Sequence, residues 1–186
     1  MPDQENRRMD IVQEIYQEIE KASLWHKTIS VRRNEYLCTS GEIEDNLYYI
    51  VSGSLKISMV DGSEERIIRF GYKHNFITAL DSFITGQPTD FAIQALKRTE
   101  LKAISKQNYV SLMNSSDHLR RLWGLIQEQL IVQQLEREKD ILITSPVERY
   151  KRVFQRSPQL FQEIPDRHIA SYLRMAPETL SRLKKS

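Results

Sequence analysis

The sequence predicts an α+β fold: an N-terminal β-roll or jelly-roll with flanking helices, one long helix, and a C-terminal all-α helix-turn-helix without a following wing. Three observations predict it. Short stretches rich in β-branched and aromatic residues, parted by turn signals, run from Ile29 to about Ser105, as in a sandwich or roll. A helical pattern free of proline then runs from His118 to about Ile143,. Last, Pro165 to Lys185 reads as two short helices joined by a tight turn,. The expected domains are 1–114 for the roll, 115–144 for the long helix and 145–186 for the C-terminal helices.

Asp10 to Lys21 reads as a helix, because Ile11, Ile15 and Ile19 recur every fourth residue between polar ones,. Tyr48–Val51 and Leu55–Val60 read as strands, with Ser52-Gly53-Ser54 as a tight turn between them,. Asp61-Gly62 is the strongest hairpin signal in the chain and leads into a strand at Glu65–Phe70,. Phe91–Leu96 and Glu100–Ile104 complete the predicted strands. Gln107–Met113 reads as a short helix, and Ser115-Ser116-Asp117 offers caps for the long one,. On that helix Leu119, Leu122, Trp123, Ile126, Leu130 and Gln133 form a stripe at helical spacing. Such a helix is about 40 Å long at roughly 1.5 Å per residue, longer than a small roll can cover. The stripe is therefore expected to be a homodimer seam. Ser145-Pro146 ends the helix and starts another, with Ser145 as cap and Pro146 in its first turn,. A hinge is expected there, followed by a helix over Val147–Arg156 that Ser157-Pro158 ends.

Charge is divided unevenly. Residues 145–186 hold nine Lys and Arg against four Asp and Glu, a net of +5, whereas residues 1–144 hold eighteen against twenty-one, a net of −3. A basic end on a mildly acidic body suits phosphate binding. One cysteine, Cys38, excludes an intramolecular disulfide and a four-cysteine iron–sulfur cluster,. No apolar run approaches the ~20 residues of a membrane span, and Met1–Asp10 lacks an apolar signal core,. The expected location is the cytoplasm, with no membrane partner.

The C-terminal segment carries most of the functional signal. Ala170 provides the small residue where two steeply crossing helices touch,. Ile169, Leu173, Met175, Leu180 and Leu183 provide apolar contacts, and Pro177 and Glu178 suit the start of the second helix,. Arg pairs with guanine, Glu accepts from cytosine, and Ser or Thr meets base edges or phosphate. Glu178 and Arg182 are assigned to base edges, and Thr179, Ser181, Lys184 and Lys185 mainly to phosphate,. Arg167, His168 and Pro177 complete the expected DNA-facing set.

Pro-Glu-Thr-Leu-Ser-Arg at residues 177–182, after Ile169-Ala170 and Tyr172-Leu173, resembles the Crp/Fnr family of bacterial transcription regulators. The resemblance covers nearly the whole chain, and the spacing of Gly41, Tyr49, Gly53, Phe76 and Gly86 is similar to the family's roll. It implies a cyclic-nucleotide-binding-like β-roll, a long dimer helix and a helix-turn-helix, in that order. It implies double-stranded DNA and a second copy of the chain as partners, with RNA polymerase as a further one. Two positions depart from the pattern. Arg174 stands where the family usually has Gly, and Ala176 where it often has a capping Ser. If residue 174 has a positive φ, arginine there strains the backbone by roughly 1 kcal/mol, and the lost cap is worth ~1 kcal/mol.

The family's cyclic-nucleotide binders carry a Gly-Glu pair and an Arg-Ser or Arg-Thr pair, the Arg neutralising the cyclic phosphate and the Glu holding a ribose hydroxyl. The matching positions here read Thr78-Ala79 and Pro88-Thr89-Asp90. A carboxylate replaces the cation, which predicts repulsion of cyclic AMP and cyclic GMP. An equivalent cavity for an unidentified small-molecule effector would be lined by Phe76, Thr78, Ala79, Asp81, Thr89 and Asp90, residues that read equally as loop and turn chemistry,. No cofactor, metal or catalytic residue is predicted. His26, His74, His118 and His168 lie in four separate segments, without the clustered ligands that a cupin-like metalloenzyme needs,. Two readings stay open: a homodimeric DNA-binding regulator, and a sensor or interaction module on the same roll with DNA binding lost or weakened.

Overall fold

The computed structural model describes residues 2–185, with side chains from Asp10 onward. Helix α1 (Pro2–Lys21) precedes strands β1 (Lys27–Val31), β2 (Tyr36–Cys38), β3 (Asn46–Ser52), β4 (Ser54–Asp61), β5 (Glu64–Tyr72) and β6 (Phe76–Ile77). Helix α2 (Leu80–Thr85) separates these from β7 (Ala92–Ala95) and β8 (Thr99–Ser105). Helices α3 (Lys106–Met113), α4 (Asp117–Leu142), α5 (Pro146–Arg156), α6 (Leu160–Glu163), α7 (Asp166–Tyr172) and α8 (Pro177–Leu183) follow. The predicted α+β architecture is the one observed. The chain divides into two compact units, Met9–Gly124 and the residues from Leu125 onward, so the boundary falls inside α4. Among the described residues no helix is long and apolar enough to cross a membrane.

The first unit is an antiparallel roll of two four-stranded sheets, in the orders β1-β8-β3-β6 and β2-β7-β4-β5. Its interior is apolar, with Tyr48, Ile50, Leu55, Ile93 and Leu101 among the buried residues. Strand β3 is buried along Leu47-Tyr48-Tyr49-Ile50 because both of its faces are covered,. Tyr48 and Ile50 face the interior, whereas Tyr49 meets Tyr16 of α1 at 4.3 Å between ring centroids. Val12, Ile15 and Ile19 of α1 are buried. Lys102 of β8 ties α1 down through Glu20 and through Tyr16 Oη at 3.0 Å.

Between β3 and β4 the chain leaves one sheet for the other at Gly53, whose φ is +97°. A Cβ there would lie 2.5 Å from Thr99 Cα, so only glycine fits,. The β4–β5 hairpin pairs Asp61 with Glu64. Its loop pair is therefore Gly62-Ser63, one residue beyond the Asp61-Gly62 signal. Strands β1, β2 and β6 and helices α2 and α6 have no counterpart in the sequence reading. Helix α1 begins at Pro2 and not at Asp10, since polar helix formers carry no apolar period.

Helix α4 starts where its cap was expected, with the Leu119 amide donating to Ser116 Oγ at 3.2 Å. Part of the expected seam is covered by the roll unit itself. Leu119 and Leu122 are buried within the roll unit, and Trp123 packs edge-on against Tyr109 at 5.3 Å. Ile126, Leu130 and Gln133 are half-buried. The exposed apolar residues are Leu125, Ile131, Val132, Leu135 and Leu142, four of them at least half exposed. At 3.6 residues per turn these lie roughly on the opposite side of α4 from Leu119 and Leu122. Of the periodic stripe, Leu119, Leu122 and Trp123 pack within the roll unit.

In the second unit, Ser145 Oγ accepts from the Glu148 amide at 3.3 Å, with Pro146 in the first turn of α5. The sequence expects a hinge here, yet ion pairs cross it. Asp140 of α4 is fully buried and accepts from Arg152 Nε at 2.8 Å and Arg156 Nη1 at 3.1 Å. Glu136 also pairs with Arg152. Its carboxyl is held below the ordinary value by its hydrogen bond from Lys139, with the Arg152 charge adding to this.

Candidate functional site

Helices α7 and α8 pack on a core of Ile169, Ala170, Leu173 and Leu180, each fully buried. The turn between the helices is a left-handed cap. Arg174 has a φ of +52°, its amide donates to Ser171 O at 3.0 Å, and the Met175 amide donates to Ala170 O at 3.0 Å,. The conformation usually reserved for glycine is thus occupied by arginine. Ala176 begins α8 in extended geometry without a side-chain cap.

Glu178, Ser181 and Arg182 of α8 are exposed at the i, i+3, i+4 spacing of one helix face, and Lys185, two residues past its end, is exposed too,. Pro177 is exposed beside them, and Thr179 is half-buried. Arg167 is exposed and donates from Nε to Nε2 of the half-buried His168 at 3.1 Å. Lys184 is engaged: its Nζ donates to Asp166 Oδ1 at 2.8 Å, tying the end of α8 to the start of α7.

Sequence reasoning missed two arginines behind this motif. Arg137 of α4 lies 3.7 Å above the Tyr172 ring, and its Nη2 donates to Tyr172 O at 2.8 Å. Burial pulls its guanidinium below the ordinary arginine value. Arg149 of α5, itself buried, donates from Nη1 to Ile143 O at 2.6 Å and from Nη2 to Arg174 O at 3.2 Å. Both acceptors on the turn are backbone oxygens, which leave no mark in a sequence.

The expected effector residues do not form one open cavity. Phe76 is a correction. It pairs with Tyr49 and meets that ring at 5.5 Å and Trp25 at 6.5 Å, whereas Ile77 lies in the roll interior. Alternation along β6 sends Phe76 to the outer face. Ala79 is core, and Thr78 Oγ1 donates to Asn46 O at 2.8 Å. Asp81, Thr89 and Asp90 do come together. The Asp81 carboxylate accepts from Thr89 Oγ1 at 2.8 Å and from the Asp90 amide at 3.0 Å. The polar donors of this loop are thus turned onto the chain's own carboxylate. Deeper in the roll unit, buried Glu44 accepts from the Asn46 amide at 2.9 Å and from Tyr48 Oη at 3.0 Å. Burial raises the Glu44 carboxyl and pushes the Cys38 thiol up to about 12.

A groove of about 430 Å³ lies instead along the edge strands β1 and β2, lined by residues such as Lys27, Ile29, Tyr36 and Leu37 and by none of the six expected ones. The histidines stay apart. His74 meets Tyr49 Oη at 2.8 Å and His118 meets Glu14 at 2.7 Å. Among the described residues no group of three or more His, Cys, Asp or Glu is placed to hold a metal.

Residues 28–116 match the cyclic nucleotide-binding domain. The two sheets are that roll, and the match stops at the start of α4. Among solved structures the fold is similar to FixK2 from Bradyrhizobium japonicum, at 17% identity and TM-score 0.66, over 86% of this chain and 82% of that one. It is also similar to the c-di-GMP responsive global regulator CLP of Xanthomonas campestris, at 16% identity and TM-score 0.65, over 91% and 90%. The catabolite activator protein of Thermus thermophilus is 20% identical with TM-score 0.53, over 91% and 81%. Each of these likenesses covers more of the chain than the matched residues 28–116. At this identity they show the fold alone. No curated protein matches by sequence.

Proposed function

We propose that the chain is a homodimeric DNA-binding transcriptional regulator of the Crp/Fnr type. One observation carries this reading: α8 presents Glu178, Ser181 and Arg182 on one exposed face, with exposed Lys185 just past its end, while Leu180 anchors it to α7. A short helix held this way offers its first turns to a major groove. Glu178 and Arg182 would read base edges, and Ser181 and Lys185 would meet phosphates. Thr179, His168 and Arg167 flank this contact, and Lys184 would join it on leaving Asp166. Pairing two copies through α4 would set two such helices about 34 Å apart on a pseudo-palindrome.

The roll is proposed to be indifferent to cyclic AMP and cyclic GMP. An entering cyclic phosphate would meet donors already bonded to Asp81, with the Asp90 carboxylate beside them. Any effector would be of a different chemistry.

Selection of duplexes from a random pool, followed by fluorescence anisotropy, tests the reading. Affinity is expected to fall steeply with salt, to ignore added cyclic AMP, and to lose about 1–3 kcal/mol of base discrimination in Arg182→Ala. Absence of binding at low salt would favour the interaction-module reading.

A further inference from the structure

We propose that Arg149, assisted by Arg137, is a positioning residue for DNA reading: the two hold the backbone carbonyls of the turn that sets the angle of α8. This rests on the DNA-reading role proposed above.

The argument begins with the turn. Arg174 lies at a φ of +52°, where a side chain crowds its own backbone,. Ala176 gives the next helix no side-chain cap. The usual glycine and the usual capping side chain are both missing, so the turn rests on its own backbone bonds and on what reaches it from outside. Two guanidiniums reach the turn from outside. Arg149 bridges Arg174 O and Ile143 O, joining the turn to the residue that follows α4. Arg137 caps Tyr172 O and stacks on the Tyr172 ring, at the last residue of α7. Planar, forked donors suit this task, because one rigid group can take two acceptors at fixed angles.

The arrangement also carries a penalty that packing alone does not require. Arg149 Nε and Arg137 Nη1 are buried without a hydrogen-bond partner,. An apolar residue would fill the same space without leaving those atoms unpaired. What it would not do is fix the carbonyls on either side of residue 174. Neither arginine is among the exposed residues of α8, so neither is expected to touch DNA.

The test separates positioning from contact and from folding. In Arg149→Met, affinity for a selected duplex is expected to fall about tenfold, while the slope of log affinity against log salt stays unchanged, because no phosphate contact is lost. Arg174→Gly in that background removes the strain and is expected to restore most of the affinity. Arg174→Ala, which removes the same charge but keeps the strain, is not. Unchanged affinity in Arg149→Met, a slope reduced by about one, or equal effects of Gly and Ala at residue 174 would each overturn the proposal. If Arg149→Met fails to fold, Arg149→Lys, which keeps one donor, is measured in its place with the same expectation in milder form. If the wild-type chain binds no duplex, the DNA reading fails, and thermal unfolding then judges the clamp. The Tm loss caused by Arg149→Met should shrink when residue 174 is Gly, and equal losses in the two backgrounds would refute it.

Discussion

Arg174 and Ala176 show how much a single position can withhold from a helix-turn-helix without dissolving it. The left-handed turn forms with arginine in it because both of its backbone bonds are made and two arginines hold its carbonyls. The cap at Ala176 is simply missing, in extended geometry that serine would adopt unchanged. Ala176→Ser is therefore expected to stabilise the second unit by about 1 kcal/mol, read as a rise in Tm. No rise would mean that the hydroxyl turns away from the Thr179 amide. The departures at both residues were legible in the sequence, because turn chemistry is local. Phe76 was not. Which face of β6 it occupies depends on pairing with Tyr49, far away in the chain. Nor was the Asp81–Thr89 contact, which needs the loop after α2 to fold back on itself.

At the scale of elements, long and strongly patterned segments were readable. Strands β3, β4 and β5 carry continuous β-branched and aromatic runs, and α4 and α5 begin at serine caps that the sequence displays. Strands β6, β2 and β1 are too short to establish a period, whereas four-residue β7 was legible within the run Phe91–Leu96,. Helix α4 teaches a subtler point. The first residues of its regular stripe, Leu119, Leu122 and Trp123, pack within the roll unit, while its exposed apolar residues follow a less regular spacing. If two copies pair through Leu125, Val132, Leu135 and Leu142, Leu135→Asp is expected to give monomers in analytical ultracentrifugation. Gln133→Asp, on the other side, should leave the dimer intact. The reverse pattern would restore the seam read from periodicity.

Over the whole molecule, the two units are expected to answer acid in opposite ways. Burial raises the Glu44 carboxyl above its ordinary 4.5, so its stabilising contribution is present below that value and lost as pH rises through the raised one,. Glu136 is lowered from 4.5, so its contribution is present above 4.5 and lost as pH falls through the lowered value,. Glu44→Gln should therefore raise Tm more at pH 7 than at pH 4, and Glu136→Gln should lower it more at pH 7 than at pH 3. Equal shifts at both pH values would show that neither carboxyl is linked to unfolding. The charge partition that suggested a phosphate-binding end was visible at this scale from the start, while the boundary within α4 was not, because a continuous helix gives no sign of the two units it joins.

The pairing of β1 with β8, which matches Lys27 to Ala103, also governs how the protein is made. Neither β1 nor β3 has its β8 partner until Ser105 has been synthesised. At about 5–20 residues per second, the interval from Val31 to Ser105 is roughly 4–15 seconds. During it, β1 and β3 wait for their shared neighbour, while the β4–β5 hairpin can already close. The C-terminal helices, built from near neighbours, can fold as they emerge. Production of this protein is thus most vulnerable before the last strand appears, when a chaperone or a lowered growth temperature has the most to protect.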